Sequence, residues 1–442
     1  MKRALVLGAG LVSKPLIDYL LEHNIHVTVA SKDFINRSAI DSHTHATSVD
    51  LDLNNKAHIE TLVTESDIVI SLLPYAFHVE IATLCIRHKK NMVTASYVSD
   101  AMSELDQAAK DAGIIIMNEV GLDPGIDHMS AMQVIDEIKS EGGELTSFIS
   151  NCGGLPLWDA VTTPFKYKFS WSPEGVVLAA TNSAQYLENG HEIRIPKGKI
   201  FNHHKAYNLG QFGQYEVYPN RDSLKYIDVY GLTGIQTMYR GTFRNLGWCD
   251  LFSAMMEINL LDQEKQYQFS GVTYHQFMKM HLDVDGEEEL ASLVSKRLNI
   301  SKDSEPILKL EWLGLFEDEA VGIEKASAFD VLCHLLKTKL QYNEGERDLV
   351  VMQHEFEAIF EDRTEIRTSL LISKGEKNGA SAMARTVGLP AAIVTKLILD
   401  DKISLKGVQI PLSKEVYEPT LKELESFGIS FKEKKSVHYN WV

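Results

Sequence analysis

From its first residues the chain alternates short apolar runs with amphipathic stretches. Residues 3–7 (RALVL) read as a buried strand, and Gly8, Ala9 and Gly10 follow it. Leu11, Leu16, Ile17, Leu20 and Leu21 then recur at helical spacing. The runs at 26–30 (HVTVA), 67–73 (DIVISLL, stopping at Pro74), 91–95 (NMVTA) and 114–117 (IIIM) predict further strands. Helical stretches such as 101–112 separate them. Strands alternating with helices predict parallel βαβ units in a doubly wound sheet.

After Gly121 the rhythm changes. Met129, Met132, Ile135 and Ile138 predict a helix over 127–139, and 146–150 a strand followed by a glycine-rich loop over 151–156. Residues 160–250 are rich in Tyr, Phe, Thr and Gly, which suits an antiparallel sheet with long loops. Residues 252–340 read as mostly helical. The runs 349–360 and 364–372 around Glu361, Asp362 and Arg363 predict a hairpin. Residues 380–398 predict a long apolar helix, kinked or broken at Pro390.

Candidate chemistry starts at the glycine loop. Gly8-x-Gly10-x-x-Ser13 follows a strand and opens a helix. The first glycine permits a tight turn, and the second lets a pyrophosphate approach backbone N–H groups at the helix N-terminus. Ser13 takes the usual third glycine position and is small enough for close packing. The motif is weak alone, and its place at the head of a βαβ series strengthens it into a dinucleotide site. The second strand ends Ala30-Ser31-Lys32 with no carboxylate before Asp33. Ser31 as donor and Lys32 as cation suit a 2′-phosphate and favour NADP(H). Asp33 holding a ribose 2′-OH, or Lys32 as a plain solvated lysine, are the competing readings. Strand carboxyl ends line the ligand crevice of such sheets, so Leu73, Pro74 and Thr94 to Tyr97 are expected to face cofactor or substrate.

Composition narrows the picture. At 442 residues the chain is too long for one core, and two or three domains are expected. A formal net charge of −17 disfavours binding to nucleic acid. No run of membrane-spanning length is read, and no secretory signal precedes the first strand. Cys85, Cys152, Cys249 and Cys333 are far apart, which argues against a disulfide framework or zinc site and suits a reducing cytoplasm. His203-His204 lacks a third ligand at suitable spacing, so no metal is expected.

The longer motifs are more specific. VISLLPY (69–75), TASYVS (94–99), MNEVGLDPGIDH (117–128), CGGLP (152–156), YKFSWS (167–172), YPNRDS (218–223), RGT (240–242) and GERDLV (345–350) together resemble the saccharopine dehydrogenase family, in its NADP-dependent, glutamate-forming branch. The resemblance spans essentially the whole chain. It implies an oxidoreductase interconverting saccharopine with glutamate and 2-aminoadipate 6-semialdehyde through an imine, in lysine metabolism. The fold class implied is α/β in three parts. An N-terminal Rossmann doubly wound domain, 1–124, is joined by 380–442. An α+β substrate and dimerisation domain with a mixed sheet covers 125–250 and 341–379. A small inserted helical domain covers 251–340, and the cleft is expected between the first two. A homodimer through the middle sheet is the expected assembly, with no membrane partner.

Carried over position by position, the resemblance puts Gly8, Gly10, Leu11, Val12 and Ser13 at the pyrophosphate and Ser31 and Lys32 at the adenosine ribose. Leu51 and Asp52 border the adenine. Leu73, Leu122, Asp123 and Pro124 lie at the nicotinamide half, and Ser170 and Trp171 reach toward the cofactor. Ser96, Tyr97, Asp123, Arg221, Arg240, Gly241 and Thr242 are the implied substrate residues. The residue types agree, since arginine forks suit a substrate with three carboxylates and Asp123 suits an ammonium. For proton transfer the candidates are Asp123, Tyr97 and Cys152, with Cys152 as inert packing the bland alternative. His128 divides between the cleft and a core role. Two rival functions stay open: a carboxynorspermidine or homospermidine synthase, whose pocket would be acidic, and a catalytically silent NADP-binding sensor.

Overall fold

The computed structural model describes residues 1–35 and 37–439. They fall into two compact units, one of Met1–Leu145 with the chain from Glu357 onward, the other of Thr146–Phe356.

The first unit is built on a parallel sheet. Its strands are β1 (Arg3–Ala9), β2 (His26–Phe34), β3 (Ala46–Asp50), β4 (Ile68–Ser71), β5 (Asn91–Thr94) and β6 (Ile115–Met117). With the late strand Gly407–Gln409 the order across the sheet is Gly407–Gln409, β6, β5, β4, β1, β2, β3. Helices α1 (Ser13–Glu22), α2 (His78–His88) and α3 (Ile126–Ser140) follow β1, β4 and β6. Ala4 to Leu7 and Ile68 to Ser71 are fully buried, as expected for parallel strands covered on both faces. The direction of winding reverses between β1 and β4, which opens a ligand crevice at their carboxyl ends. β2 runs on past Lys32 to Phe34, because Ala9 pairs with Phe34 beyond an irregularity in β1. The strand end expected at Lys32 is thus two residues early.

The helix Ala382–Leu399 packs against α1 in this unit. It runs unbroken through Pro390, where a kink or break was expected. Proline removes one helix hydrogen bond, but the buried face from Gly388 to Thr395 holds the segment in place. Contrary to the sequence reading, this helix is long and apolar enough to cross a membrane; most of it is buried inside the unit, as in a core helix. α3 also belongs here. It packs on the helix Lys414–Ser426, and the Tyr417 hydroxyl donates to Asp136 Oδ2 at 2.6 Å. The first compact unit runs to Leu145. The expected hairpin turn is present, with the Phe360 N–H donating to Arg363 O at 2.8 Å between the strands Asp348–Ile359 and Arg363–Lys374. The latter pairs antiparallel with Phe431–Tyr439.

In the second unit, Thr237–Asn245 pairs antiparallel with Gln214–Pro219 and parallel with the long strand Glu144–Pro156. The sheet is mixed, as the resemblance implied for this domain. Residues 151–156, expected as a loop, continue that strand. The glycines there mark close backbone approach instead, since a Cβ on Gly153 would meet Phe243 O at 2.6 Å. The segment 251–340 is mostly helical, as expected, and clusters with this unit rather than apart from it.

Candidate functional site

The glycine loop has the geometry a pyrophosphate needs. Gly8 has a φ of 104°, and a Cβ there would crowd Leu72 O at 3.2 Å. Around Gly10 nothing lies within 4 Å of a Cβ position, so its backbone face is open. Leu11 is exposed and Val12 half-buried, and α1 starts without a side-chain cap or a first-turn acid. The Ser13 N–H turns back to Gly10 O at 3.2 Å and Pro15 has none, so Lys14 carries the first-turn N–H that could meet an anion. Ser13 is buried, and its hydroxyl donates to Gly10 O at 2.8 Å. A second glycine contact was not legible locally. Gly388, on the far C-terminal helix, lets that helix meet the loop, because a Cβ there would sit 2.8 Å from Val12 O.

At the adenosine side the sequence reading needs two corrections. Ser31 is buried; its hydroxyl donates to Asp33 O at 2.6 Å and its oxygen accepts the Ala9 N–H at 3.2 Å. Its proton is committed to shaping the turn, while Lys32 is exposed and carries the available charge. Leu51 sits in the apolar core, so only its backbone can border a ligand. Asp52 is exposed and its Oδ1 accepts the Asn54 N–H at 2.9 Å.

The densest cluster lies beyond β4, β5 and β6. Across residues 114–131 every residue is buried except Asp123. Its exposure follows from the turn that carries it. Gly121 donates to Pro124 O at 2.9 Å, and a Cβ on Gly125 would overlap Gly121 O at 2.1 Å. The turn therefore closes tightly on itself and presents Asp123 at its tip, between buried Leu122 and Pro124. The Tyr97 hydroxyl donates to Asp123 Oδ1 at 3.1 Å. Tyr97, Ser96 and Leu73 are all half-buried. The structure thus brings the expected tyrosine and carboxylate into one hydrogen-bonded pair. A carboxylate beside a phenol can hold an ammonium or pass a proton.

Two buried groups hold this rim, and sequence reasoning missed their roles. Glu119 adopts a left-handed φ of 58°. Its N–H donates to Ser96 O at 3.1 Å, while its carboxylate accepts the Val98 N–H at 3.0 Å and faces His128 Nε2 at 2.7 Å. Those three bonds fix an otherwise costly backbone conformation, so His128 is a core residue and not a cleft residue. His78 opens α2 and is buried between Ser71 Oγ, 3.0 Å from Nδ1, and Ser96 Oγ, 2.9 Å from Nε2. Burial pulls its pKa down to about 4, which keeps the ring neutral. The signal was a histidine four residues after Pro74, at the carboxyl end of β4.

In the second unit the expected residues cluster on two neighbouring strands. Gly241 lies in register with Asn151 and Thr242 with Cys152. Gly241 has no room for a side chain, since a Cβ would sit 2.4 Å from Asn151 Oδ1. Cys152 is buried and Thr242 half-buried. Arg240, expected at an open pocket, is instead only 2% exposed, with its guanidinium stacked 4.5 Å over the Tyr226 ring. The reason is its place on an inner strand, where a long side chain must cover an aromatic face. Arg221 sits outside, in a left-handed turn of φ 54°, where Asn220 N–H donates to Arg240 O at 2.8 Å. With Arg194 and Asp222 it lines a surface pocket of about 500 Å³. Arg244 is buried too, its guanidinium between 5.2 and 5.7 Å from the rings of Tyr167, Trp248 and Tyr218. Its Nε has no hydrogen-bond partner among the described residues, nor has Ser170 Oγ or Trp248 Nε1. Trp171 is half-buried, against Gly175. Among the described residues no group of three His, Cys, Asp or Glu is placed to hold a metal.

Comparison with known proteins covers the whole length. Residues 4–117 match the model of the saccharopine dehydrogenase NADP binding domain, and 121–429 that of the saccharopine dehydrogenase C-terminal domain. The chain is 38% identical to saccharopine dehydrogenase [NADP(+), L-glutamate-forming] of Pyricularia oryzae, over 98% of this chain and 99% of that one. It is 39% identical to the protein of the same name from Saccharomyces cerevisiae, over 98% and 99%. The mitochondrial alpha-aminoadipic semialdehyde synthase of Bos taurus is 37% identical, over 97% of this chain but 47% of its own length. Among solved structures, apo saccharopine dehydrogenase (L-Glu forming) from Saccharomyces cerevisiae superposes with a TM-score of 0.88 at 36% identity, covering 99% and 100% of the two chains. A Legionella pneumophila homospermidine synthase in complex with NAD shares the fold alone, with a TM-score of 0.61 at 9% identity over 98% of this chain and 91% of that one.

Proposed function

This chain belongs to the saccharopine dehydrogenase family, and from that premise we propose that it interconverts saccharopine with L-glutamate and 2-aminoadipate 6-semialdehyde, using NADP(H). The observation that carries this reading is a match along 98% of the chain to two fungal enzymes whose names state the cofactor and the product. When bound, NADPH would supply a hydride to the imine carbon, and NADP+ would accept it in the reverse direction. The chain's own residues bind, orient and move protons.

The open backbone at Gly10 and the uncapped start of α1 suit the pyrophosphate, and exposed Lys32 suits the 2′-phosphate. In our reading Asp123 holds the amino group undergoing reaction. Tyr97, bonded to it, steadies its carboxylate and exchanges a proton as the carbinolamine forms and collapses. Ser96 contacts a substrate oxygen. Arg221 takes a distal carboxylate through its planar fork, and the Arg240–Thr242 strand supports it. Cys152, buried beside Thr242, serves packing in this scheme rather than chemistry. The segment 251–340 acts as an inserted helical subdomain. We place the enzyme in the cytoplasm, where its four buried free thiols stay reduced, and as a homodimer. Cell fractionation and light scattering test those two points.

Arg221→Ala tests the substrate assignment. Losing a charged hydrogen-bonding fork costs roughly 1.5–3 kcal/mol, so KM for the amino-acid substrate is expected to rise about 10- to 100-fold while NADPH affinity stays near wild type. An unchanged KM removes Arg221 from the site.

A further inference from the structure

We propose that His78 is a positioning residue that holds the Ser96 hydroxyl as a hydrogen-bond donor, aimed at a carboxylate or carbonyl oxygen of the substrate. This rests on the reading above that Ser96 meets substrate.

The inference follows from the placement of protons. Ser71 is 1% exposed, and its hydroxyl has one partner among the described residues, His78 Nδ1 at 3.0 Å. A buried hydroxyl must donate to something, and Nδ1 is the acceptor within reach. Nδ1 therefore carries no proton, and the neutral ring carries its proton on Nε2. Nε2 lies 2.9 Å from Ser96 Oγ, with Thr94 Oγ1 a longer contact at 3.4 Å. Ser96 Oγ thus accepts from the imidazole, and its own proton is left pointing elsewhere. Thr94 Oγ1 is the weaker partner of Nε2, at 3.4 Å against 2.9 Å for Ser96 Oγ, and it accepts the Ser96 N–H at 3.3 Å. Ser96 is half-buried, so its hydroxyl reaches a ligand.

The consequence is selectivity by polarity. With the opposite tautomer, Ser96 would donate inward and offer a lone pair, which suits an ammonium. With the proton on Nε2, Ser96 offers its own proton outward, which suits an oxygen anion. Two buried groups, Ser71 on β4 and His78 on α2, would thereby set the chemistry that one rim hydroxyl accepts.

The test uses the full-length protein in three readouts. Nitrogen-15 NMR of histidine-labelled wild type is expected to show His78 protonated at Nε2; an Nδ1–H tautomer overturns the proposal. His78→Phe is expected to raise KM for the amino-acid substrate about tenfold, the size of one lost hydrogen bond, with kcat and NADPH affinity within about twofold. His78→Gln, whose amide nitrogen can donate to Ser96, is expected to recover most of that loss. A Gln variant as poor as Phe overturns the hydrogen-bond role. Ser96→Ala separates the premises. If it raises KM and His78→Phe does not, the His78 assignment fails alone. If Ser96→Ala leaves KM unchanged, Ser96 does not meet substrate and the underlying reading fails with it. Should His78→Phe not fold, the tautomer and the Gln variant still decide the matter.

Discussion

Two sets of buried polar groups, one in each unit, are held in opposite ways. In the first unit, Glu365, His78 and Glu119 are tied to partners of their own fold, while His26 Nδ1 and Ser413 Oγ lack one among the described residues. Glu365 is fully buried and bonded to Arg363 at 2.6 Å, Arg367 at 2.8 Å and Lys435 at 2.7 Å. His78 sits between two serines, and Glu119 between a backbone N–H and a histidine. In the second unit, Arg240 and Arg244 lean on aromatic faces, and Ser170, Trp248 and Arg244 each keep a buried polar atom without a partner among the described residues. The first arrangement fixes geometry before any ligand arrives. The second leaves some hydrogen-bonding capacity unspent, since Arg244 donates to Phe243 O at 2.9 Å while its Nε has no partner among the described residues.

The largest effect should follow from breaking the first arrangement. Burial alone would raise the Glu365 pKa, but hydrogen bonds from Lys435, Arg363 and Arg367 outweigh it and bring it to about 2. Glu365→Gln removes the buried anion that Arg363, Arg367 and Lys435 share, leaving them only the exposed Asp362, Glu137 and Glu141, and is expected to cost about 3–5 kcal/mol in urea unfolding. The depressed pKa places this stabilisation above the unfolded value near 4, to be lost as pH falls toward about 2. The variant should lack that acid-sensitive component.

His78 gives a smaller and separate acid window. Its folded pKa of about 4 lies below the unfolded 6.5, so between those values the unfolded state binds more protons. Stability is expected to fall as pH drops through this window, by about 3 kcal/mol in all, and His78→Phe should flatten that segment of the curve. An unchanged slope would mean the ring is hydrated in solution.

The smallest effect is expected in the second arrangement. Arg244→Met replaces a buried guanidinium that has no ion pair among the described residues by an apolar chain of similar length. Stability should change by no more than about 1 kcal/mol in either direction. A loss as large as that of Glu365→Gln would show that Arg244 is paired in solution and would erase the contrast.

Much of the first unit was legible because its signals are local. Continuous apolar runs give two-sided parallel strands, and Gly8 needs its positive φ wherever it sits. Asp123 and Tyr97 were read as site residues, and they form one hydrogen-bonded pair. What escaped depends on backbone and packing geometry that one-dimensional patterns do not carry. Gly388 meets a loop more than 370 positions away. Residues 151–156 look like a loop until the strand beside them explains their glycines. Arg240 reads as a carboxylate fork, and only the sheet shows it pressed on Tyr226. Ser31 reads as a phosphate donor, and only the backbone shows its proton already given to Asp33.

The most direct test of the central claim is initial-rate oxidation of NADPH, beside NADH, by the purified protein with L-glutamate plus 2-aminoadipate 6-semialdehyde, and in parallel with polyamine–aldehyde pairs. Turnover of the glutamate pair, with NADPH preferred, is the expected result. Turnover with polyamine pairs alone, or none with any pair despite tight NADPH binding, would contradict it.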